Sequence, residues 1–296
     1  MRFLLTTAAA LALAVPFVTV VAASTTPADI IAAAPADAWA DIAPEDLLVM
    51  TLEGGKRVVI QLAPFFSQAH VANMRTLARA HWWDGTAVYR VQDNYVAQWG
   101  DRTEKKPLPE GMPAKPPEDY ARLRASAGKH VTAMPGRDSY AEGTGFYDGW
   151  PVAWNKDHVW MTHCYATVGV ARDLAPDAGS GAELYAVIGH APRQLDRNIA
   201  LVGRVIEGID ALSSLPRGTE ALGMYAPAQA PTPILSVRLA SEIPEAERPR
   251  FQMMATASDS FRALAQVRAN RNDDFFRTPA GGVDICNLPV PIRKRP

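Results

Sequence analysis

Residues 82–101, WWDGTAVYRVQDNYVAQWGD, pack aromatic side chains around one arginine and one glutamine. Tyr89 and Val91 fall on one face of a strand, which places Arg90 on the other. Gln92-Asp93-Asn94 signals a turn, and a second short strand follows. On that strand Val96 and Gln98 point one way and Ala97 the other. The pattern predicts that Arg90, Val96 and Gln98 share the outward face, a polar pair on an apolar, aromatic floor. Neither polar residue has a neighbouring counter-ion or base in sequence. A recognition surface is expected here, not an acid–base site.

Further strands lie on either side. LLVMTL (47–52) and RVVIQL (57–62) flank Glu53-Gly54-Gly55-Lys56 and predict a β-hairpin. Pro64 opens a helical pattern in which Val71, Met74 and Leu77 recur at three-residue spacing. YATVGVA (165–171), ELYAVIG (183–189), NIALVGRVI (198–206) and PILSVRLA (233–240) read as strands. A short helix carrying Ile209, Leu212 and Leu215 ends at Pro216. Many strands with only two short helices predict a mainly β fold, an antiparallel barrel plugged by helices. Residues 102–160 are rich in Pro and Gly, as in KKPLPEGMPAKPPEDY, and read as a long loop insertion over the surface. Residues 24–44 read as a small-residue linker, and 45–240 as the main domain. Residues 241–296 form a C-terminal extension, where Phe261, Leu264 and Val267 predict a helix from about Ser258 to Arg271.

Charge and composition narrow the function. The net charge is −1, and the only basic run is Arg293-Lys294-Arg295, so nucleic-acid binding has no electrostatic footprint. His158, His163 and Cys164 fit no metal-ligand spacing, and no metal is expected. Ser180 lacks a nucleophile elbow. Arg2 precedes an apolar run from Phe3 to Ala23, and Val21-Ala22-Ala23 offers a cleavage point before Ser24. Residues 1–23 therefore read as a signal peptide, with export to the periplasm and no stable membrane insertion after cleavage. An uncleaved anchor is the alternative. The only two cysteines, Cys164 and Cys286, either pair in an oxidising compartment or remain buried thiols. If export holds, a bridge tethering the extension to the barrel is expected.

WWDGTAVYRV followed by YVAQWGD resembles the central motif of the cyclophilins, peptidyl-prolyl cis-trans isomerases. The resemblance runs in order through GSGAELYAVIG and LDRNIALVGRVIEGIDAL and covers roughly residues 45–240. It implies a closed eight-stranded barrel with a helix at each end. Arg90 falls on the family's catalytic arginine and Gln98 on its active-site glutamine. Tyr95, Val96, Tyr185 and Leu195 fall on the proline pocket, and Tyr89 stands beside them where histidine is common. Gln194, Ile199, Glu183, Ala182 and Arg172 depart from the family's residues.

The implied activity is rotation of X–Pro bonds in proline-containing peptides and unfolded exported proteins, by a monomer without cofactors. The competing reading is a non-catalytic peptide-binding or chaperone module on the same barrel. Arg90 and Gln98 favour the enzyme; Ile199, Gln194 and Arg172 favour the binder.

Overall fold

The computed structural model describes residues 25–273 and 275–295; the expected signal peptide, 1–23, lies outside them. Eight antiparallel strands close a barrel in the order Thr167–Val170, Leu184–Val187, Val96–Gly100, Ala87–Val91, Thr232–Leu239, Leu47–Leu52, Arg57–Leu62 and Leu201–Glu207. The last strand pairs back with the first. Leu48, Met50 and Leu52 alternate inward along one strand, and Val58, Ile60 and Leu62 along its partner. The helix Gln68–Arg79 adds Val71, Met74, Leu77 and Ala78 to this core, and Ile209–Ser213 adds Ala211 and Leu212. Burying each large aliphatic side chain contributes roughly 1.5–3 kcal/mol. The helix Gln68–Arg79 starts four residues after Pro64, and Ala63 and Phe66 before it join a separate apolar cluster.

The Trp83–Thr86 turn locks the central hairpin in place. Trp83 Nε1 donates to the Ala182 carbonyl at 2.8 Å, and Thr86 Oγ1 donates to the Trp83 carbonyl at 2.7 Å. Gly85 adopts φ +76°, which a side chain would resist, and its N–H donates to Ile234 O at 3.0 Å. Asp84 takes both Arg238 Nη atoms, at 2.8 and 2.7 Å. One short motif thus joins the strands Ala87–Val91 and Thr232–Leu239 to the segment leading into Leu184–Val187.

The insertion differs from the expected loop. Its first part, 102–121, is irregular, but the rest is a five-stranded antiparallel sheet. The strands run in the order Arg122–Leu123, His158–Met161, Trp150–Trp154, Gly143–Tyr147 and Val131–Met134. The glycines that read as loop signals are close-approach positions within strands. A Cβ on Gly143 would sit 2.6 Å from the Trp154 ring, and one on Gly145 would sit 2.3 Å from Thr132 O. Tyr147, Trp150, Val152, Trp154, Val159 and Met161 pack this sheet on Ala63, Phe66 and Leu201 of the barrel side.

The expected linker is also structured. Thr26 and Asp29 form a capping box for the helix Pro27–Ala33, and alanine favours its continuation. Trp39–Asp41 then pairs with Phe251–Met254, which pairs with Ile292–Lys294. The tail helix is Asp259–Ala269, capped by Ser258, and it buries Phe261 and Leu264 against Trp39 and Phe146. Leu47, Val49 and Val59, on the outer barrel face, are covered by Ile42, Ala240 and Phe251. Strands covered on both faces explain the near-continuous apolar runs LLVMTL and RVVIQL.

Two devices fasten these layers together. Cys164 is disulfide-bonded to Cys286 of the tail, with Cα atoms 5.0 Å apart. Arg204, on the barrel, donates to Gln61 Oε1 and to Gly149 O at 2.8 Å, contacts Met253 Sδ and lies over Trp150. Burial pulls its guanidinium down to about 9.

Candidate active site

Arg90 lies directly opposite Gln98 in the hairpin, and the register shifts between Val88 and Arg90. This β-bulge changes the expected alternation. Val88 and Val91 both enter the barrel core, while Tyr89 and Arg90 both reach Gln98. Tyr89 therefore does not share a face with Val91. Val96 behaves as the alternation predicts, facing outward with Gln98 while Ala97 and Trp99 face the core.

The half-buried Arg90 guanidinium is held by three neutral oxygens. Nε donates to Leu222 O at 2.7 Å, Nη1 to Gln98 Oε1 at 2.9 Å and Nη2 to Gln92 Oε1 at 2.8 Å. The second N–H of Nη1 and that of Nη2 remain for another acceptor. Burial lowers the Arg90 pKa from its ordinary value, and Tyr95, Tyr89 and Tyr185 oppose that shift. The group remains a cation with no carboxylate among these three partners. Its fixed fork geometry presents a directed positive charge, which a lysine could not hold in the same way.

Beside it lies an apolar floor. Val96, Tyr185 and Val187 are buried there, with Tyr95, Ala171 and Ile199 packed against them. The Tyr185 ring lies over Gly169, where a Cβ would approach its hydroxyl oxygen to 2.3 Å. Its hydroxyl bonds His163 Nε2 at 3.0 Å, and His163 Nδ1 meets Asp196 Oδ1 at 3.0 Å. Asp196 accepts from Arg193 at 2.6 Å, and Arg193 also forks onto Asp138. Tyr185 is thereby pinned, only 5% exposed, as floor more than as an open wall. Leu195 sits half-buried on the Arg193–Leu195 turn, outside this cluster, whereas Ile199 belongs to it. The structure thus brings together Arg90, Gln98, Tyr89, Tyr95, Val96 and Tyr185, and leaves Leu195 apart.

A polar chain extends from Gln98 away from Arg90. Gln98 Nε2 donates to the Tyr89 hydroxyl at 2.8 Å, and that hydroxyl donates to Glu183 Oε2 at 2.5 Å. Glu183 Oε1 accepts the Asp101 N–H at 2.6 Å. The carboxyl occupies space that any side chain at Gly100 would fill, since a Cβ there would lie 2.2 Å from it. Burial pushes the Tyr89 phenol up, reinforced by Glu183. Burial also raises Glu183, to about 7.

Other sequence departures are occupied locally. Arg172 donates to Asn198 O at 3.0 and 2.9 Å and to Asp173 O at 2.6 Å. Gln92 and Leu222 are contacts that sequence reading misses. Gln92 reads only as part of a turn, and Leu222 contributes a backbone carbonyl, which no side-chain pattern reveals. An antiparallel bridge between Arg90 and Met224 sets the Leu222 carbonyl beside Arg90, and the glycine at 223 in that turn, at φ +76°, is the sequence signal closest to it.

The family model for cyclophilin type peptidyl-prolyl cis-trans isomerase/CLD matches residues 47–239. A probable peptidyl-prolyl cis-trans isomerase of Brucella suis is 26% identical over 180 residues, spanning 60% of this chain and 75% of the relative. Its counterpart in Brucella abortus is 25% identical over the same length and shares. Among solved structures, the cyclophilin AquaCyp293 from Hirschia baltica aligns with TM-score 0.69 and 25% identity. That likeness covers 92% of this chain and 98% of the other, so it reaches into both the insertion, 102–160, and the tail, 241–296, each of which is longer than the part left uncovered.

Proposed function

The chain belongs to the cyclophilin-type peptidyl-prolyl cis-trans isomerases, and we propose that it rotates X–Pro bonds of exported polypeptides at Arg90. The barrier to that rotation is about 18–20 kcal/mol, because the C–N bond has partial double-bond character. Cis and trans X–Pro forms are close in energy, so the task is to lower the barrier. As the amide twists, the prolyl nitrogen regains a localised lone pair. A guanidinium N–H aimed at that nitrogen stabilises the twisted state more than either planar one.

The observation that carries this reading is the disposition of Arg90. Three neutral acceptors fix the guanidinium without neutralising it and leave N–H groups free. In this reading Gln98 holds the arginine and meets the substrate backbone, and the pyrrolidine ring rests against Tyr95, Val96 and Tyr185. Leu195, set apart from that floor, acts at its margin. No proton transfer, metal or cofactor enters the step.

Export is supported by the apolar N-terminus before Ser24 and by the pairing of Cys164 with Cys286. Among the described residues no helix is long and apolar enough to cross a membrane. The substrates are accordingly unfolded proteins in the periplasm, met by a monomer. The test is isomerisation of a proline peptide by residues 24–296, measured together with peptide affinity. Peptide binding without isomerisation would favour the binding-module reading. An intact Met1 on mass spectrometry of protein from its host would reject cleavage.

A further inference from the structure

We propose that Glu183 is a positioning residue for isomerisation: its carboxylate form sets, through Tyr89, the orientation of Gln98 that holds Arg90. The inference rests on the isomerase reading and adds a pH-dependent control to it.

The hydrogen bonds have only one consistent direction. At one end is the Asp101 N–H and at the other the Arg90 guanidinium, and both can only donate. An ionised Glu183 accepts from Asp101 on Oε1 and from the Tyr89 hydroxyl on Oε2. The Tyr89 oxygen, having given up its only proton, must accept from Gln98 Nε2. The Gln98 amide then has to turn its oxygen toward Arg90 Nη1. Amide orientation is assigned from such networks, and this one leaves no alternative while Glu183 is charged.

Protonation removes that constraint. Oε1 still faces the Asp101 N–H, so the acid proton belongs on Oε2, where it points at the Tyr89 oxygen. Tyr89 must then send its own proton elsewhere. Toward Gln98 it requires a flipped amide, which sets NH2 against the Arg90 fork. Turned away, it leaves a hydroxyl proton of a residue only 5% exposed without this partner. Either outcome loosens Arg90.

The surroundings place the change near neutrality. Burial raises Glu183 to about 7, and the Asp101 and Glu104 carboxylates push the same way. Hydrogen bonds from Tyr89 and the Asp101 backbone oppose them. The groups facing Glu183 are therefore Tyr89 on one strand, Asp101 at the end of the next and Glu104 in the following loop. The Asp101 carboxylate itself is turned toward Thr103, Lys105 and Lys106 N–H groups.

The experiment is the pH profile of kcat/KM for the chain from residue 24 onward, with Glu183→Gln and Tyr89→Phe in parallel. The parent is expected to rise with pH around a midpoint near 7. The rise should be about tenfold or more, tenfold being the lower end of what one hydrogen bond to a charged group is worth. Glu183→Gln offers one oxygen to two donors, so it should remain at the parent's acid level throughout. Tyr89→Phe should be equally flat. A flat parent profile, or a rise retained in Glu183→Gln, overturns the proposal. A parent without isomerase activity at any pH rejects the isomerase reading instead. The Gln98 side-chain amide resonances then test the chain alone: they should move with pH near 7 in the parent and stay fixed in Glu183→Gln.

Discussion

Replacing Arg90 separates the positioned cation from everything else in the site. In Arg90→Ala the apolar floor of Val96, Tyr185 and Val187 should persist, and peptide is expected still to dock on it. What disappears is one preorganised donor, whose loss elsewhere costs about 10²–10³ in rate, or about 2.7–4 kcal/mol. The same fall is expected here in kcat/KM, most of it in kcat, because the interaction strengthens only in the twisted amide. The orphaned acceptors are Leu222 O, Gln92 Oε1 and Gln98 Oε1, around a half-buried residue that water can reach. Stability should therefore drop by no more than about 1 kcal/mol. Arg90→Lys should recover little, since an ammonium lacks the planar fork that meets three acceptors and keeps an N–H to spare. The assay is isomerisation of an X–Pro peptide with affinity and melting temperature measured on the same proteins. Unchanged isomerisation in Arg90→Ala would refute the reasoning outright.

Tyr95→Ala strips a half-buried ring from the floor and should raise KM more than it lowers kcat, as read from saturation kinetics. Changing both Cys164 and Cys286 to Ser opens a loop of 122 residues and should lower stability by about 2–5 kcal/mol in denaturant titrations. Two reactive thiols in the denatured, unreduced parent would reject the bridge. Glu183 is raised from 4.5 to about 7, so its folded state holds the proton more tightly than the unfolded chain. Its contribution to stability is full below about 4.5 and is lost as pH rises through about 7. That loss approaches about 3 kcal/mol, less what partial solvent exposure screens. Glu183→Gln should thus lose less thermal stability than the parent between acid and alkaline pH.

The barrel was legible because each of its strands carries a local signal. Strands 47–52 and 57–62 form at the expected residues, since two apolar runs of strand length and the intervening Gly-Gly turn agree. The insertion was not legible, because Gly143 and Gly145 look like loop residues until the Trp154 ring and the Thr132 carbonyl lie against them. Likewise the linker's alanines carry no periodicity that would announce the helix Pro27–Ala33. At the site, the pairing of Arg90 with Gln98 follows from strand spacing, but the bulge that brings Tyr89 to them does not. Bulges depend on how two strands fit, and neither sequence alone records that fit.

The added layers also bear on which barrel face is left for a peptide. The insertion sheet packs on Ala63 and Leu201, and the tail covers Leu47, Val49 and Val59. Arg204 is clamped between both additions. The outer faces of strands Leu47–Leu52, Arg57–Leu62 and Leu201–Glu207 are thereby occupied by the chain itself. Arg90 and Gln98, half-buried with N–H groups to spare, stand on two strands outside that covered set. Next to them, Tyr185 is held through His163, the residue preceding the disulfide-bonded Cys164. Cys286 Sγ itself lies 3.9 Å from the His163 carbonyl. The tail therefore anchors one residue away from a side chain that supports the floor, and reducing the bridge should loosen Tyr185 before it unfolds the barrel. Peptide affinity measured with and without reductant, on folded protein, tests this: an unchanged affinity would confine the bridge to stability alone.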